Sequence, residues 1–261
     1  MASRRQPPQP EQSQEPAPSV AVELNDADAL PLLREAEVVG GQRIPWSSNY
    51  TFLVRLDAGP GKHLRAVYKP RDGERPLYDF PDGSLYKREY TAYLLSRELG
   101  WPKVPLTLIR DGPYGVGAMQ LYIDTDHRIT YFDMIGDNEE QLRKFAVFDL
   151  LANNADRKGG HCLLDRNGTI WSIDHGLTFH PLFKLRTVML EFWGTDIPDD
   201  LVAGLDELSG RMSTNGELAG TLKDLLSEGE VTALRRRLDQ ILSEPVIPQL
   251  DTHDNVPWPL E

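Results

Sequence analysis

Residues 139–176 read EEQLRKFAVFDLLANNADRKGGHCLLDRNGTIWSIDHG, and their pattern decides the architecture. Glu139 to Ala152 is apolar on most sides of a helical repeat (Leu142, Phe145, Ala146, Phe148, Leu150, Leu151), which predicts a central buried helix. Asn153-Asn154 stops it, because short amide side chains compete for backbone partners. Two short strands follow, His161 to Leu164 and Ile170 to Asp174. They flank Asp165-Arg166-Asn167-Gly168, whose Asn-Gly pair is a strong hairpin signal. The polar run Asn153-Asn154-Ala155-Asp156-Arg157-Lys158-Gly159-Gly160-His161 is thus held by a rigid element on each side. The hairpin folds Asp174 back beside the loop that carries Asp156 and His161. Phosphoryl transfer needs a carboxylate to position and deprotonate a hydroxyl, a second to hold metal on the phosphates, and usually one more ligand. Asp156, Asp174 and His161 fill those roles in that order.

Upstream, Lys69 ends the strand-like run Arg65 to Lys69, and Pro70 removes a ladder donor after it. Ser84 to Leu99 reads as a helix with Ser84 at its N-cap and Gly100 and Pro102 past its end. On a helical wheel Leu85, Ala92, Ser96 and Leu99 form one stripe, and Glu89 lies on that same buried face. A buried ammonium and a buried carboxylate are each costly alone. Paired, they leave Lys69 aimed at the α- and β-phosphates of a nucleotide. The tip Ile44-Pro45-Trp46-Ser47-Ser48-Asn49 would cover those phosphates, with Ser47, Ser48 and Asn49 as donors. No GxxxxGK[ST] run is present, so this is not a P-loop NTPase.

Outward from these motifs, residues 1–24 are rich in Pro, Gln, Ser and Glu and are expected to form a disordered tail. A helix from Ala29 to Ala36 precedes strands at Glu37 to Val39 and Tyr50 to Leu56, with Gly40 to Asn49 as a long tip. Further strands are expected at Val104 to Ile109 and Gly117 to Ile123. Three amphipathic helices, about 197–209, 216–227 and 230–243, precede a Pro-rich tail that contains Trp258. The fold class is α+β. A strand-rich, nucleotide-binding N-lobe over 25–123 is followed by a helical C-lobe over 124–245, catalytic and metal-binding, and by the tail 246–261. No internal repeat is found, which excludes solenoids and propellers.

An excess of acids, 40 Asp and Glu against 28 Lys and Arg, gives a formal charge of −12 and argues against nucleic acid as a partner. The single cysteine, Cys162, cannot close an intrachain disulfide. A reducing cytoplasm is therefore the expected location. No apolar run approaches a membrane span, and Arg4 and Arg5 have no apolar segment after them, so stable membrane insertion and secretion are not expected.

The order Lys69, Glu89, Asp156-Arg157-Lys158-Gly159-Gly160-His161 and Ile173-Asp174-His175-Gly176 resembles the atypical kinases of the phosphatidylinositol 3-/4-kinase type, with their DRHxxN and DFG motifs. It is also similar to HipA-type bacterial kinases, which share the five-residue step from catalytic Asp to metal ligand. Tyr68-Lys69-Pro70, Gly73-Glu74-Arg75-Pro76-Leu77 and Asp79-Phe80-Pro81-Asp82-Gly83 look like phrases of short actinobacterial members. The resemblance spans roughly residues 37 to 195. It implies a two-lobed protein-kinase-like fold binding ATP with Mg2+ or Mn2+. Lys69 would contact phosphates, Glu89 would anchor it, Asp156 would be the base and Asp174 the main metal ligand. Met119, Gln120, Leu121 and Tyr122, with Ile123, would form the hinge that meets adenine. Two departures stand out: His161 replaces an Asn, and His175 replaces the Phe of DFG. Imidazole favours softer ions than magnesium, which points to manganese dependence or to a weakened second metal site.

Blander readings exist for each residue. Asp156 could cap a turn, Lys69 could be a strand-end surface lysine, and Glu89 could pair with Arg88 or Tyr93. Zinc is disfavoured, because His161 and Cys162 point to opposite faces of a strand with no CxxC beside them. Lys184 and Arg186 are too few to dock an anionic leaflet. The hydroxyl acceptor stays open between protein Ser/Thr, a small polyol and an inositol lipid. The rival functions are a nucleotide-binding pseudokinase that acts as a regulatory module, and an AMP transferase.

Overall fold

The computed structural model describes residues 19–45, 47–213 and 216–261. The first half is a six-stranded sheet flanked by two helices. In chain order these are β1 (Val20–Val22), α1 (Asp26–Glu35), β2 (Val38–Arg43), β3 (Phe52–Asp57), β4 (Lys62–Pro70), α2 (Leu85–Leu99), β5 (Thr107–Gly112) and β6 (Gly115–Leu121). The sheet order is β2-β3-β4-β6-β5, and every pair on that path is antiparallel. β1 runs parallel to the start of β4, with Val20 opposite Lys62. The expected tail therefore ends earlier than residue 24, since Val20–Val22 is paired strand; residues 1–18 lie outside the described residues.

The hairpin tip is shorter than Gly40 to Asn49, because Gly40 to Arg43 continue β2 and pair with Arg55 to Phe52. Strand alternation in β4 buries Leu64, Ala66 and Tyr68 on one face. Those side chains join Leu33, Leu56, Leu106 and Met119 in the core of the sheet. The opposite face of β4 carries Lys69, and β4 includes Pro70, whose partner is Gly117.

The second half is helical: α3 (Tyr131–Met134), α4 (Glu139–Ala152), the hairpin β7 (Cys162–Leu164) and β8 (Ile170–Ser172), then α5 (Asp199–Ser213), α6 (Glu217–Leu225), α7 (Glu228–Ser243) and α8 (Thr252–Asn255). α4 has the bounds its apolar pattern predicts, and Phe145, Val147, Phe148 and Leu151 are fully or almost fully buried. They form one core with Leu205, Leu208, Leu234 and Leu238 from α5 and α7. Asn153 ends α4 in the left-handed region at φ 53°, a conformation that Asn tolerates better than most residues. In the hairpin turn Gly168 is left-handed and donates its N–H to Asp165 O at 3.1 Å, and Asp165 Oδ1 accepts from Asn167 and Thr169. None of the helices is long and apolar enough to cross a membrane, among the described residues.

Candidate active site

β4 and α2 present Lys69 and Glu89 to each other, and β8 delivers Asp174 to the same point. The Lys69 Nζ donates to Glu89 Oε1 and, at 2.9 Å, to Asp174 Oδ1. Glu89 is buried, and its Oε2 accepts the His175 backbone N–H at 3.1 Å. On the other side of Asp174, its Oδ2 lies 3.3 Å from His161 Nε2. An amine from the sheet, an acid from α2 and an acid and an imidazole from the helical half thus form one connected cluster. The surface-lysine reading of Lys69 is excluded by these contacts. Arg88, one of the two partners considered for Glu89 beside Tyr93, is turned to Glu230.

Electrostatics follow from burial and charge. Burial alone would lower the Lys69 pKa, but the Asp174 and Glu89 carboxylates outweigh it and hold it above the ordinary lysine value. The ammonium of Lys69 in turn holds Asp174 well below the usual carboxylate range. Burial raises Glu89 despite Lys69. Asp174 sits at φ 60°, a left-handed conformation uncommon for a residue with a side chain. β8 ends at Ser172 rather than at Asp174 for that reason. The turn aims the carboxylate out of the sheet plane, where it is half exposed.

Asp156 lies in the loop between α4 and β7, with its N–H bonded to Asn154 Oδ1 at 3.0 Å. Burial raises its pKa, Lys158 lowers it, and the negative charge of Asp174 raises it. It is still about one third exposed, at 30%. Sequence reasoning gave Lys158 no role, yet its Nζ lies 3.3 Å from Asp156 Oδ2. The available signal was a lysine two residues beyond the expected base.

Burial pushes His161 down to about 4, with Asp174 opposing and Arg157, Lys158 and Lys69 reinforcing the shift, so the ring is neutral near pH 7. Its Nδ1 accepts the Lys158 N–H at 3.4 Å, which leaves the proton on Nε2, facing Asp174. Cys162 is fully buried and its thiol is pushed up to about 12 by burial, the behaviour of a small hydrophobe. Among the described residues, no group of three or more His, Cys, Asp or Glu side chains could hold a metal ion by itself.

The remaining expected residues are placed as follows. Ser47 bonds Thr51 Oγ1 at 2.9 Å, Asn49 Oδ1 accepts the Arg75 N–H at 2.9 Å, and Ser48 is exposed. Trp46 lies outside the described residues. No hydrogen bond or ion pair among the described residues joins this tip to the Lys69 cluster. The residue after the tip, Tyr50, donates its N–H to Gly73 O at 2.9 Å, three residues past the end of β4.

Met119, Gln120 and Leu121 are buried at the end of β6, and Gln120 Nε2 donates to Thr107 Oγ1 at 2.8 Å. The Leu121 and Tyr122 N–H groups are taken by Leu106 O and Arg65 O, at 2.8 and 3.2 Å. Lys184 and Arg186 are engaged with Asp79 and the Asp254 carbonyl.

No protein-family model matches the chain. Among solved structures the fold is similar to the Helicobacter pylori proinflammatory kinase CtkA, with a TM-score of 0.51 and 13% identity over 88% of this chain and 96% of that one. Hydra Fam20 bound to sugar gives a TM-score of 0.52 and 16% identity, covering 82% of this chain and 86% of the other. The Golgi casein kinase with Mn/ADP bound gives 0.50 and 15%, covering 86% and 77%. At such identities the likeness concerns the fold, which is protein-kinase-like, with a sheet-rich first half and a helical second half. In sequence the chain is 40% identical to Protein Rv2133c of Mycobacterium tuberculosis over 278 aligned positions, covering 92% of this chain and 98% of the relative. With a kinase-like fold and a relative matched along nearly its whole length, the chain belongs to the family of Protein Rv2133c.

Proposed function

We propose that the protein is an ATP-dependent phosphotransferase that moves the γ-phosphoryl group to a hydroxyl acceptor. The observation that carries this reading is Lys69 Nζ bridging Glu89 and Asp174, which brings to one point an amine suited to phosphate and an acid suited to metal. Lys69 would hold the α- and β-phosphates, Glu89 would keep it aimed, and Asp156 would orient the hydroxyl and accept its proton. Residues 25–123 would bind the nucleotide, with Ser47, Ser48 and Asn49 over the phosphates and the backbone of Met119, Gln120, Leu121 and Tyr122 beside adenine. With two of those N–H groups committed to the sheet, the hinge contact would fall to carbonyls and to Ile123.

Asp174 and His161 form a two-donor set. That suits a divalent metal arriving on phosphate oxygens better than one caged by protein alone. A bound Mg2+ or Mn2+ supplies charge neutralisation on the transferred group. His161 would have to move its proton to Nδ1 to ligate, which its neutral state permits. The Golgi casein kinase with Mn/ADP bound, on the same fold, is consistent with that pairing of nucleotide and metal. The motifs resemble the phosphatidylinositol 3-/4-kinase type and we assign the protein to that neighbourhood. The acceptor class lies between protein Ser/Thr, a small polyol and an inositol lipid.

The test is transfer from ATP labelled at the α- or γ-phosphate, in wild type and Asp156→Ala. Movement of the γ-label, reduced by about 10²–10⁴-fold in the variant, supports the reading. Movement of the α-label would make the protein an AMP transferase. Nucleotide binding with no movement of either label would make it a regulatory pseudokinase.

A further inference from the structure

Arg157 follows the proposed base and is fully buried, though nothing in the reading above uses it. Its guanidinium makes six polar contacts. Nε donates to Asp149 Oδ2 at 2.7 Å and Nη2 to Asp149 Oδ1 at 3.0 Å, a bidentate pair deep under the site. Nη1 donates to the carbonyls of His161 at 3.2 Å and Ile173 at 3.0 Å. Nη2 also lies 2.9 Å from Ser172 Oγ and 3.0 Å from His175 Nε2. Ser172 Oγ is itself 2.9 Å from that same ring nitrogen.

Three of these contacts fall on or next to a residue of the site. One carbonyl belongs to His161, and the other belongs to the residue before Asp174. The ring belongs to the residue after it, whose backbone N–H is held by Glu89. The segment 173–175 is thus gripped by Arg157 from one side and Glu89 from the other. This grip keeps Asp174 in its left-handed conformation, which a residue with a side chain holds only where its surroundings over-determine it. A buried ion pair adds little net stability over apolar packing, so what Arg157 and Asp149 supply is geometry. The aromatic residue of DFG could hold the segment only by shape. His175 holds it by hydrogen bonds.

We propose that Arg157 is a positioning residue of the phosphotransfer site: oriented by Asp149, it sets the separation and aim of His161 and Asp174 toward a metal carried by the nucleotide. The inference rests on the phosphotransferase reading. Lysine in its place keeps one charge for Asp149 but has no planar fork to span both carbonyls.

The experiment is calorimetric titration of the full chain with ADP, once in MnCl2 and once in EDTA, together with thermal melting, for wild type, Arg157→Lys and Ser172→Ala. Loss of a residue that orients metal ligands costs roughly 10–100-fold in metal affinity. Arg157→Lys is therefore expected to melt cooperatively and to bind ADP in EDTA as wild type does, while its Kd in Mn2+ rises by about tenfold or more. Ser172→Ala, which deletes one hydroxyl and no charge, should shift the same way by a few-fold. A folded Arg157→Lys with unchanged binding in Mn2+, or with equal losses in Mn2+ and EDTA, overturns the proposal. Should Arg157→Lys not fold, Ser172→Ala decides, and a Kd in Mn2+ equal to wild type overturns it. Wild type that binds no nucleotide under either condition refutes the phosphotransferase reading before any substitution is compared.

Discussion

The cluster around Asp174 is balanced by one ammonium between two carboxylates, and its single-residue consequences follow from that count. Removing the Glu89 charge leaves Lys69 with Asp174 as its one anionic partner, so Glu89→Gln should slow phosphoryl transfer while the fold survives, as the Gln oxygen can still accept one of the two donors, Lys69 Nζ or the His175 N–H, that Glu89 serves. Steady-state kinetics with a circular dichroism control checks this. Asp156 has a raised pKa, so the acid limb of the pH–rate profile should lie above the ordinary aspartate value. Lys158 lowers that pKa. Lys158→Met should therefore move the limb to higher pH, and a limb that stays put would remove Asp156 as the base. At this scale the sequence was informative where one element decides the outcome. Glu89 was legible because a helical wheel places it on the buried stripe. The grip of Arg157 was not legible, because its partners come from α4, β8 and two loops that only the fold brings together.

Elements show the same division. α4 was readable to the residue because its apolar surface outweighs local propensity. α2 was placed correctly with Ser84 at its N-cap position, but the Ser84 hydroxyl makes no capping bond. Ser84 Oγ donates to Pro81 O at 2.6 Å, and the first N–H groups of α2 are taken instead by Glu74, from Leu85 at 3.0 Å and Tyr86 at 2.8 Å. Such a distant cap leaves no short sequence signature. Glu74→Ala should lower stability by about 0.5–2 kcal/mol, measured by denaturant unfolding.

α2 is also tied to α7 by the buried pair of Arg88 and Glu230. Burial would raise Glu230, but Arg88 and the Ser227 N–H outweigh it and hold its pKa below the ordinary value. A carboxylate depressed in the folded state adds stability above its unfolded pKa, and that contribution fades as pH falls through the folded pKa. Glu230→Gln, which leaves Arg88 buried and unpaired, should cost about 3–5 kcal/mol near neutral pH. The gap in Tm from wild type should narrow as pH falls below the ordinary glutamate value.

Across the whole molecule, the two halves are joined at the site, and the chain end folds back onto the helical half. The Leu260 carbonyl accepts the Gly159 N–H at 2.8 Å, inside the loop between Asp156 and His161. Asn255 bonds the Leu185 carbonyl and accepts the Thr187 N–H. The tail therefore docks on the helical half, with Pro257 buried and Trp258 88% exposed. Deleting residues 257–261 should slow transfer more than it lowers Tm, because it frees Gly159 while uncovering little core. A Pro-rich composition could not disclose this docking, nor the three-residue strand β1, whose order comes from pairing with β4 rather than from its own sequence. The two-lobed plan was legible because strand-like and helical periodicities occupy separate halves of the chain.

On the proposed function, Lys69 and Asp174 serve one bound nucleotide. Thermal melting with ATP and Mn2+ tests it most directly. Wild type should be stabilised, by about 2.7 kcal/mol at a hundredfold excess over Kd, and Lys69→Ala and Asp174→Ala should each lose most of that gain. Equal stabilisation of wild type and both variants would contradict it.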